Sequence, residues 1–338
     1  MTRAVSQEPG AIGIDLGGTN LKLALLDGEN RIAARLTVPT GGAEGHHAVI
    51  ERMIEGARSL LAENPDIHVA GIGIGVPGEV DMVTGITGDL PNLPGRWRNI
   101  PVAHAIAEAI ALPVGIINDA KAFALAEYQL GAAVGADTAL CVTVGTGIGS
   151  AVIAHSRILY GLGAMAGEIG HLILQPEGPR CTCGNLGCAE TLANGPAIVG
   201  EAVRRVVQGF TTALSSMSGG DLDAITPELV ARAANEGDPV AIDVINRAGG
   251  WLGITLASAI ALLAPEVVVI GGGVAPAGGR YFRAAEEVAR AHSGVIDVAR
   301  ITFRPASLGY EAGVMGAALL GRANAEGNAY ANAVGSGA

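Results

Sequence analysis

A chain of 338 residues, 49% of them hydrophobic, has material for more than one core, and two domains with a cleft between them are expected. The formal charge of -11, from 32 acidic and 21 basic residues with no basic tract, argues against a nucleic-acid partner, which needs clustered Lys and Arg to neutralise phosphate. No uninterrupted apolar run reaches the roughly 18 residues of a membrane span, and the opening MTRAVSQEPG lacks the apolar centre of a signal peptide, so a cytoplasmic protein with no membrane partner is expected.

With 51 glycines and only 3% aromatics, the cores should be aliphatic side chains and Ala in closely approaching elements. In chain order, AIGIDLG, KLALLD and RIAARLTV read as three short strands joined by turns at Gly17–Gly18 and Asp27–Gly28. A helix is expected from His46 to Ala62, then the strand VAGIGIGVPG, a loop, and the helix VAHAIAEAI. The strand PVGIIND runs into AKAFALAEYQLG, whose apolar spacing of 3.6 argues helix. TALCVTVGTGIGSAVIA then repeats the opening strand, glycine turn and strand, which suggests two related α/β halves. Further helices are expected over Pro196–Leu214, Pro227–Ala234, Pro239–Leu263 and YFRAAEEVARAH, with strands at EVVVIGGGV and ARITFRPA. The helix GYEAGVMGAALLGRA has the small residues needed to return and pack on the first domain, and the terminal EGNAYANAVGSGA shows little periodicity and reads as frayed or loosely docked. The expected domains are 1–119 joined by the helix 310–325, and 120–309 with a metal loop over 171–188.

Three glycine clusters stand at strand ends. In DLGGTN, Gly17, Gly18 and Thr19 would turn backbone N–H groups toward phosphate while Asp15 holds Mg²⁺ through water. The motif is neither GxxxxGK[ST] nor a dinucleotide GxGxxG, because a second strand follows it. Gly145, Thr146 and Gly147 form the same kind of turn in the second half, and Gly271, Gly272 and Gly273 follow a strand where bare backbone can approach a ring or ribose. Each cluster alone is equally an ordinary turn. Together they account for the phosphate and nucleoside contacts of a nucleotide cleft.

His171, Cys181, Cys183 and Cys188 lie in the order H-x9-C-x-C-x4-C and supply a tetrahedral zinc set. Four protein ligands leave no open position for activated water, so this zinc is expected to be structural. Cys141, alone in a strand, reads as a small buried hydrophobe. Glu168 and Glu190 flank the metal residues, and two carboxylates suit sugar hydroxyls and repel phosphate. Asn118 and Asp119 end a strand and precede a helix. Asp119 can cap that helix, or act as general base on an alcohol attacking the γ-phosphorus of ATP, with Asn118 holding a neighbouring hydroxyl.

These motifs resemble the ROK family of repressors, open reading frames and sugar kinases, within the actin-like ATPase superfamily. GIDLGGTN and VTVGTGIG are similar to its two phosphate motifs, and AGEIGH with CTCGNLGCAE to its zinc signature, so the resemblance spans roughly residues 10 to 325. It implies a two-domain ribonuclease H-like fold with an interdomain cleft, a homodimer, Asp119 as catalytic base, and Asn92, Asn118, Glu168, His171 and Glu190 as sugar contacts. His171 would then serve zinc and sugar through different ring nitrogens. LPNLPGRWRNIPV resembles a glucokinase acceptor loop with Arg96 inserted into the usual Pro-Gly-Trp order, so Arg96, Trp97 or Arg98 could alter the sugar accepted. Lys121 stands where Asn is common, suited to capping a polar cleft or meeting phosphate, and Ser150 where another Gly is usual. The family's repressors carry an N-terminal helix-turn-helix, whereas the first strand here starts after ten residues.

The resemblance points to ATP-dependent phosphorylation of the C6 hydroxyl of glucose. Fructose, mannose, an N-acetylhexosamine or a cyclitol remain as acceptors and polyphosphate as a donor. A zinc-stabilised sugar sensor without transfer is the non-enzymatic alternative.

Overall fold

The structure, a computed structural model, describes residues 8–90, 93–95, 97–273 and 279–327. The expected sugar contact Asn92, the inserted Arg96 and nearly all of the terminal segment lie outside the described residues. The chain divides into two units: unit 1 holds residues 1–134, 156–167 and 310–338, and unit 2 holds 135–155 and 168–309.

Unit 1 opens with β1 (Gly10–Leu16), β2 (Asn20–Leu26) and β3 (Ile32–Pro39), followed by α1 (His46–Glu63) and β4 (Val69–Val76). A hairpin of β5 (Val80–Asp81) and β6 (Ile86–Thr87) precedes α2 (Val102–Ile110), β7 (Val114–Asn118) and α3 (Asp119–Leu130). The sheet order is β3-β2-β1-β4-β7, antiparallel across the first hairpin and parallel from β1 through β4 to β7.

Alternation along a strand sends successive residues to opposite faces. Ile12, Ile14 and Leu16 of β1 and Ile72, Ile74 and Val76 of β4 therefore share one buried core with Val49, Met53 and Leu60 of α1 and Val102 and Ile106 of α2. The opposite face is nearly bare, with Gly13 and Asp15 on β1 and Gly71, Gly73 and Gly75 on β4. On it lies α10 (Ala312–Ala325), the returning helix expected from its small residues. A side chain at Gly73 or Gly321 would run into the other element's backbone, so this closeness requires glycine on both sides.

Unit 2 contains β8 (Ala139–Val144) and β9 (Ile148–Ala154), after which the chain revisits unit 1 with the short β10 (Arg157–Ile158). It resumes with α4 (Glu190–Ala193), α5 (Gly195–Val207), α6 (Leu214–Met217), α7 (Pro227–Asn235) and α8 (Pro239–Leu263). β11 (Val267–Gly271), α9 (Gly279–His292) and β12 (Thr302–Pro305) complete it. The strand order β9-β8-β11-β12 matches β2-β1-β4-β7, with the same antiparallel hairpin and the same parallel continuation. The repeated hairpin thus belongs to a repeated topology.

Two expectations differ from the structure. The helix foreseen over Pro196–Leu214 stops at Val207, because Gly209 takes a left-handed φ of 80° and closes it, and a separate turn of helix begins at Leu214. The domain boundary foreseen after residue 119 falls after Val134, because α3 packs against α10, with Gly316 seated on the Ala122 carbonyl.

Candidate active site and metal centre

Asp15 lies near the end of β1 on the α10 face, with its carboxylate against Gly313. Burial raises its pKa above the ordinary aspartate value, and Lys22, whose Nζ is 3.8 Å from Oδ2, opposes that shift. Across the sheet Asp15 pairs with Gly75, which pairs with Ile117 next to Asn118. Asp119 begins α3 immediately beyond, its Cα close to Gly75. Asp15 and the start of α3 therefore stand at the carboxyl ends of parallel strands, with Gly75 of β4 between them, about 10 Å or two strand spacings apart. Ligands in open α/β sheets bind at such strand ends.

The helix cap is Asn118. Its Oδ1 accepts from the N–H groups of Ala120 and Lys121 at 3.1 and 3.3 Å, and its Nδ2 donates to the Gly78 carbonyl at 3.0 Å. Asp119 is spared that duty, although its Oδ1 accepts from the Ala120 N–H at 2.8 Å. Lys121 is wholly buried, which disfavours the cleft-lining position considered for it. Trp97 is also buried, stacked edge-on to His46 with ring centroids 6.0 Å apart, and Arg98 pairs with Asp89 at 3.1 Å.

The turn between β1 and β2 holds itself through the Gly17 N–H donated to the Asn20 carbonyl at 3.1 Å. Gly18 and Thr19 are exposed, and neither Gly17 nor Gly18 takes a positive φ. Buried Thr40, which the sequence reading missed, donates its hydroxyl to the Gly17 carbonyl at 2.6 Å and its N–H to the Thr19 carbonyl at 2.8 Å.

In unit 2 the Gly145–Gly147 turn is fastened from two sides. Asn194, capping α5, donates Nδ2 to the Thr146 carbonyl at 2.7 Å, and Gly195 donates its N–H to the Gly145 carbonyl at 2.8 Å. Glu190 lies against Gly147, and its Oε2 accepts from the Ile148 N–H at 2.9 Å. Gly272 has φ 97°, and a Cβ there would lie 2.5 Å from the Val144 nitrogen, so only glycine lets the 271–273 segment pack against the end of β8. The second and third glycine clusters thus meet within unit 2.

His171, Cys181, Cys183 and Cys188 present four donor atoms within 4.8 Å of one another. Zn–S bonds of about 2.3 Å in a tetrahedron give S···S edges of roughly 3.8 Å. The Cys183 and Cys188 sulfurs are 3.7 Å apart, and Cys181 Sγ is 3.6 Å from His171 Nδ1, so the set fits zinc. Nδ1 faces the sulfurs and leaves Nε2 for another partner. Burial pushes the Cys188 thiol up to about 12, while a hydrogen bond from the Asn185 backbone lowers Cys183. Cys181 Sγ also lies 3.7 Å from Glu190 Oε1, so Glu190 links the metal loop to the glycine turn. Glu168 opens the turn of 3₁₀ helix that carries His171, and buried Ser150 accepts from the Ile169 N–H at 3.2 Å. Cys141 is buried in β8, as expected.

Two α/β units of the same strand order, with a glycine turn in the first hairpin of each, make this a protein of the actin-like ATPase fold. The knot of three thiols and one imidazole narrows that class. The chain belongs to the ROK family, whose sequence profile matches residues 11–324. It is 35% identical over 313 residues to the glucokinase of Halalkalibacterium halodurans, covering 90% of this chain and 92% of that one. The crystal structure of a ROK family glucokinase from Streptomyces griseus, in complex with glucose and AMPPNP, superposes with a TM-score of 0.82 at 32% identity, over 93% of this chain and 99% of that one. The DNA-binding transcriptional dual regulator NagC of Escherichia coli is 31% identical over 79% of this chain, which spans 64% of the regulator's length. Among the described residues no helix is long and apolar enough to cross a membrane.

Proposed function

We propose that this chain is an ATP-dependent glucose kinase that transfers the γ-phosphoryl group to the C6 hydroxyl. What supports the reading is the placement of two carboxylates, Asp15 near the end of β1 and Asp119 at the start of α3, to either side of Gly75. Similarity to glucokinases along nearly the whole of both chains supports the same assignment.

Asp119 takes the proton of the C6 hydroxyl as that oxygen bonds to the γ-phosphorus, and the bond from phosphorus to the β,γ-bridging oxygen breaks to release ADP. Asn118 keeps one Nδ2 hydrogen beyond its cap and its bond to Gly78, enough to hold an adjacent hydroxyl. Asn92, Glu168, His171 through Nε2, and Glu190 complete the sugar contacts. Backbone at Gly17–Thr19, Gly145–Gly147 and Gly271–Gly273 receives the nucleotide. Asp15 would hold Mg²⁺ through water, which would supply charge neutralisation at the phosphates. His171, Cys181, Cys183 and Cys188 would hold zinc, which would supply structure. A cytoplasmic homodimer is part of the proposal.

The similarity to NagC supports one alternative, a sugar sensor without transfer. A coupled ADP-release assay with ATP·Mg²⁺ across hexoses and cyclitols, run with Asp119→Asn alongside, separates the two. Glucose should be preferred, and the variant should keep glucose binding while losing about 10²- to 10⁴-fold in turnover. Turnover with another sugar alone would reject glucose but keep the kinase. Sugar binding with no ADP release would favour the sensor.

A further inference from the structure

We infer that Ser150 is a positioning residue for the acceptor sugar, fastening the turn that carries Glu168 and His171 to the strand that leaves the Gly145–Gly147 turn. Ser150 is wholly buried in β9, where it pairs with Val142 of β8. Its hydroxyl accepts the N–H of Ile169, a residue between Glu168 and His171 that is itself only 7% exposed. The adjoining Gly170 is seated on the Ile148 carbonyl with no room for a side chain. Two residues before Ser150 on the same strand, the Ile148 N–H is held by Glu190.

The start of β9 therefore grips both ends of the segment that supplies three of the proposed sugar contacts, Ser150 near Glu168 and His171 and Ile148 at Glu190. The four side chains that could bind a metal lie along the segment between Glu168 and Glu190. A glycine at position 150 would preserve the strand but leave a buried N–H at Ile169 without this acceptor. A buried donor in that condition costs enough to move a short turn toward other partners. Displacement there misplaces Glu168 and His171 together and leaves Asp119, Asp15 and the glycine turns as they are. Sugar affinity is therefore the quantity that should respond.

The inference rests on the reading of Glu168 and His171 as sugar contacts, and Ser150→Ala and Ser150→Gly test it. In both, KM for glucose should rise about fivefold, as expected for losing one hydrogen bond of ordinary strength. kcat and KM for ATP should stay within about twofold, zinc content should be unchanged, and amide exchange over residues 168–172 should accelerate. An unchanged KM for glucose, an equal rise in KM for ATP, unaltered exchange, or loss of zinc would each overturn the inference. Agreement between the two variants assigns the effect to the hydroxyl, and a shift in the glycine variant alone would assign it to backbone freedom and overturn it. If the wild type binds glucose without phosphorylating it, the kinase reading fails by itself, and the comparison passes to the dissociation constant for glucose.

Discussion

Asp15 is held in a place that suits a cation better than a bare carboxylate. Burial raises its pKa, so ionisation costs the fold something at neutral pH, and the cost shrinks as pH falls below the raised value and is gone below the ordinary aspartate value. Asp15→Asn should therefore melt above the wild type at neutral pH, with the difference shrinking under acid conditions as the native carboxyl takes up its proton. The same change should lower kcat/KM for ATP by about 10²-fold if this carboxylate orders the phosphates. Calorimetry across pH beside a steady-state assay checks both, and a variant that is less stable at neutral pH but fully active would reject both. The four metal-ligating side chains were legible because they stood at short spacings, and so was the placement of Asp15 near the end of β1 and of Asp119 at the start of α3. Thr40, Asn194 and Ser150 were not, since each acts on backbone distant in sequence: 23 residues from Thr40 to Gly17, 48 from Asn194 to Thr146, 19 from Ser150 to Ile169. Nothing local to a polar residue tells which remote carbonyl or N–H it will meet.

Among the elements, α10 shows how a helix late in the chain can be built into the first sheet. Gly13, Gly71 and Gly73 strip the receiving face of side chains, Gly321 does the same for the helix, and Gly316 admits the Ala122 carbonyl of α3. VAGIGIGV carries this geometry openly: every second residue from Gly71 to Gly75 is glycine, and the alternate positions are core aliphatics. The return of the helix was readable from its small residues, and the periods placed most helices and strands. What failed were the end of α5 and the unit boundary. The first had a local signal in Gly209, and the second depended on the docking of α3 against α10. Gly321→Val places branched carbons against the backbone of β4, so it should destabilise unit 1 by roughly 1–3 kcal/mol or more. Urea unfolding measures this, and a midpoint equal to the wild type would show that the interface has slack the close approach denies.

At the scale of the molecule, the two units have separate cores, and among the described residues the cluster of His171, Cys181, Cys183 and Cys188 lies in unit 2. One aliphatic cluster gathers β1, β4, α1 and α2, while another gathers β8, β9, β11 and α5 through α9. The four metal donors and the backbone bonds of their loop all lie between Glu168 and Glu190, within unit 2. Metal binding to such a loop is folding free energy, because the unfolded segment has no preformed site. Stripping zinc should therefore loosen 168–193 first. Through the Glu190 carboxylate on the Ile148 N–H it should then reach the Gly145–Gly147 turn, so that an ion with no chemistry to perform still governs phosphorylation. Hydrogen exchange after chelation should show faster labelling in these two stretches, with the β1–β2 hairpin and α10 as protected as before. Activity should return on adding Zn²⁺ and not on adding Mg²⁺ alone. Labelling that rises equally in both units, or full activity in protein shown by metal analysis to be zinc-free, would mean that the ion does not order the site through Glu190.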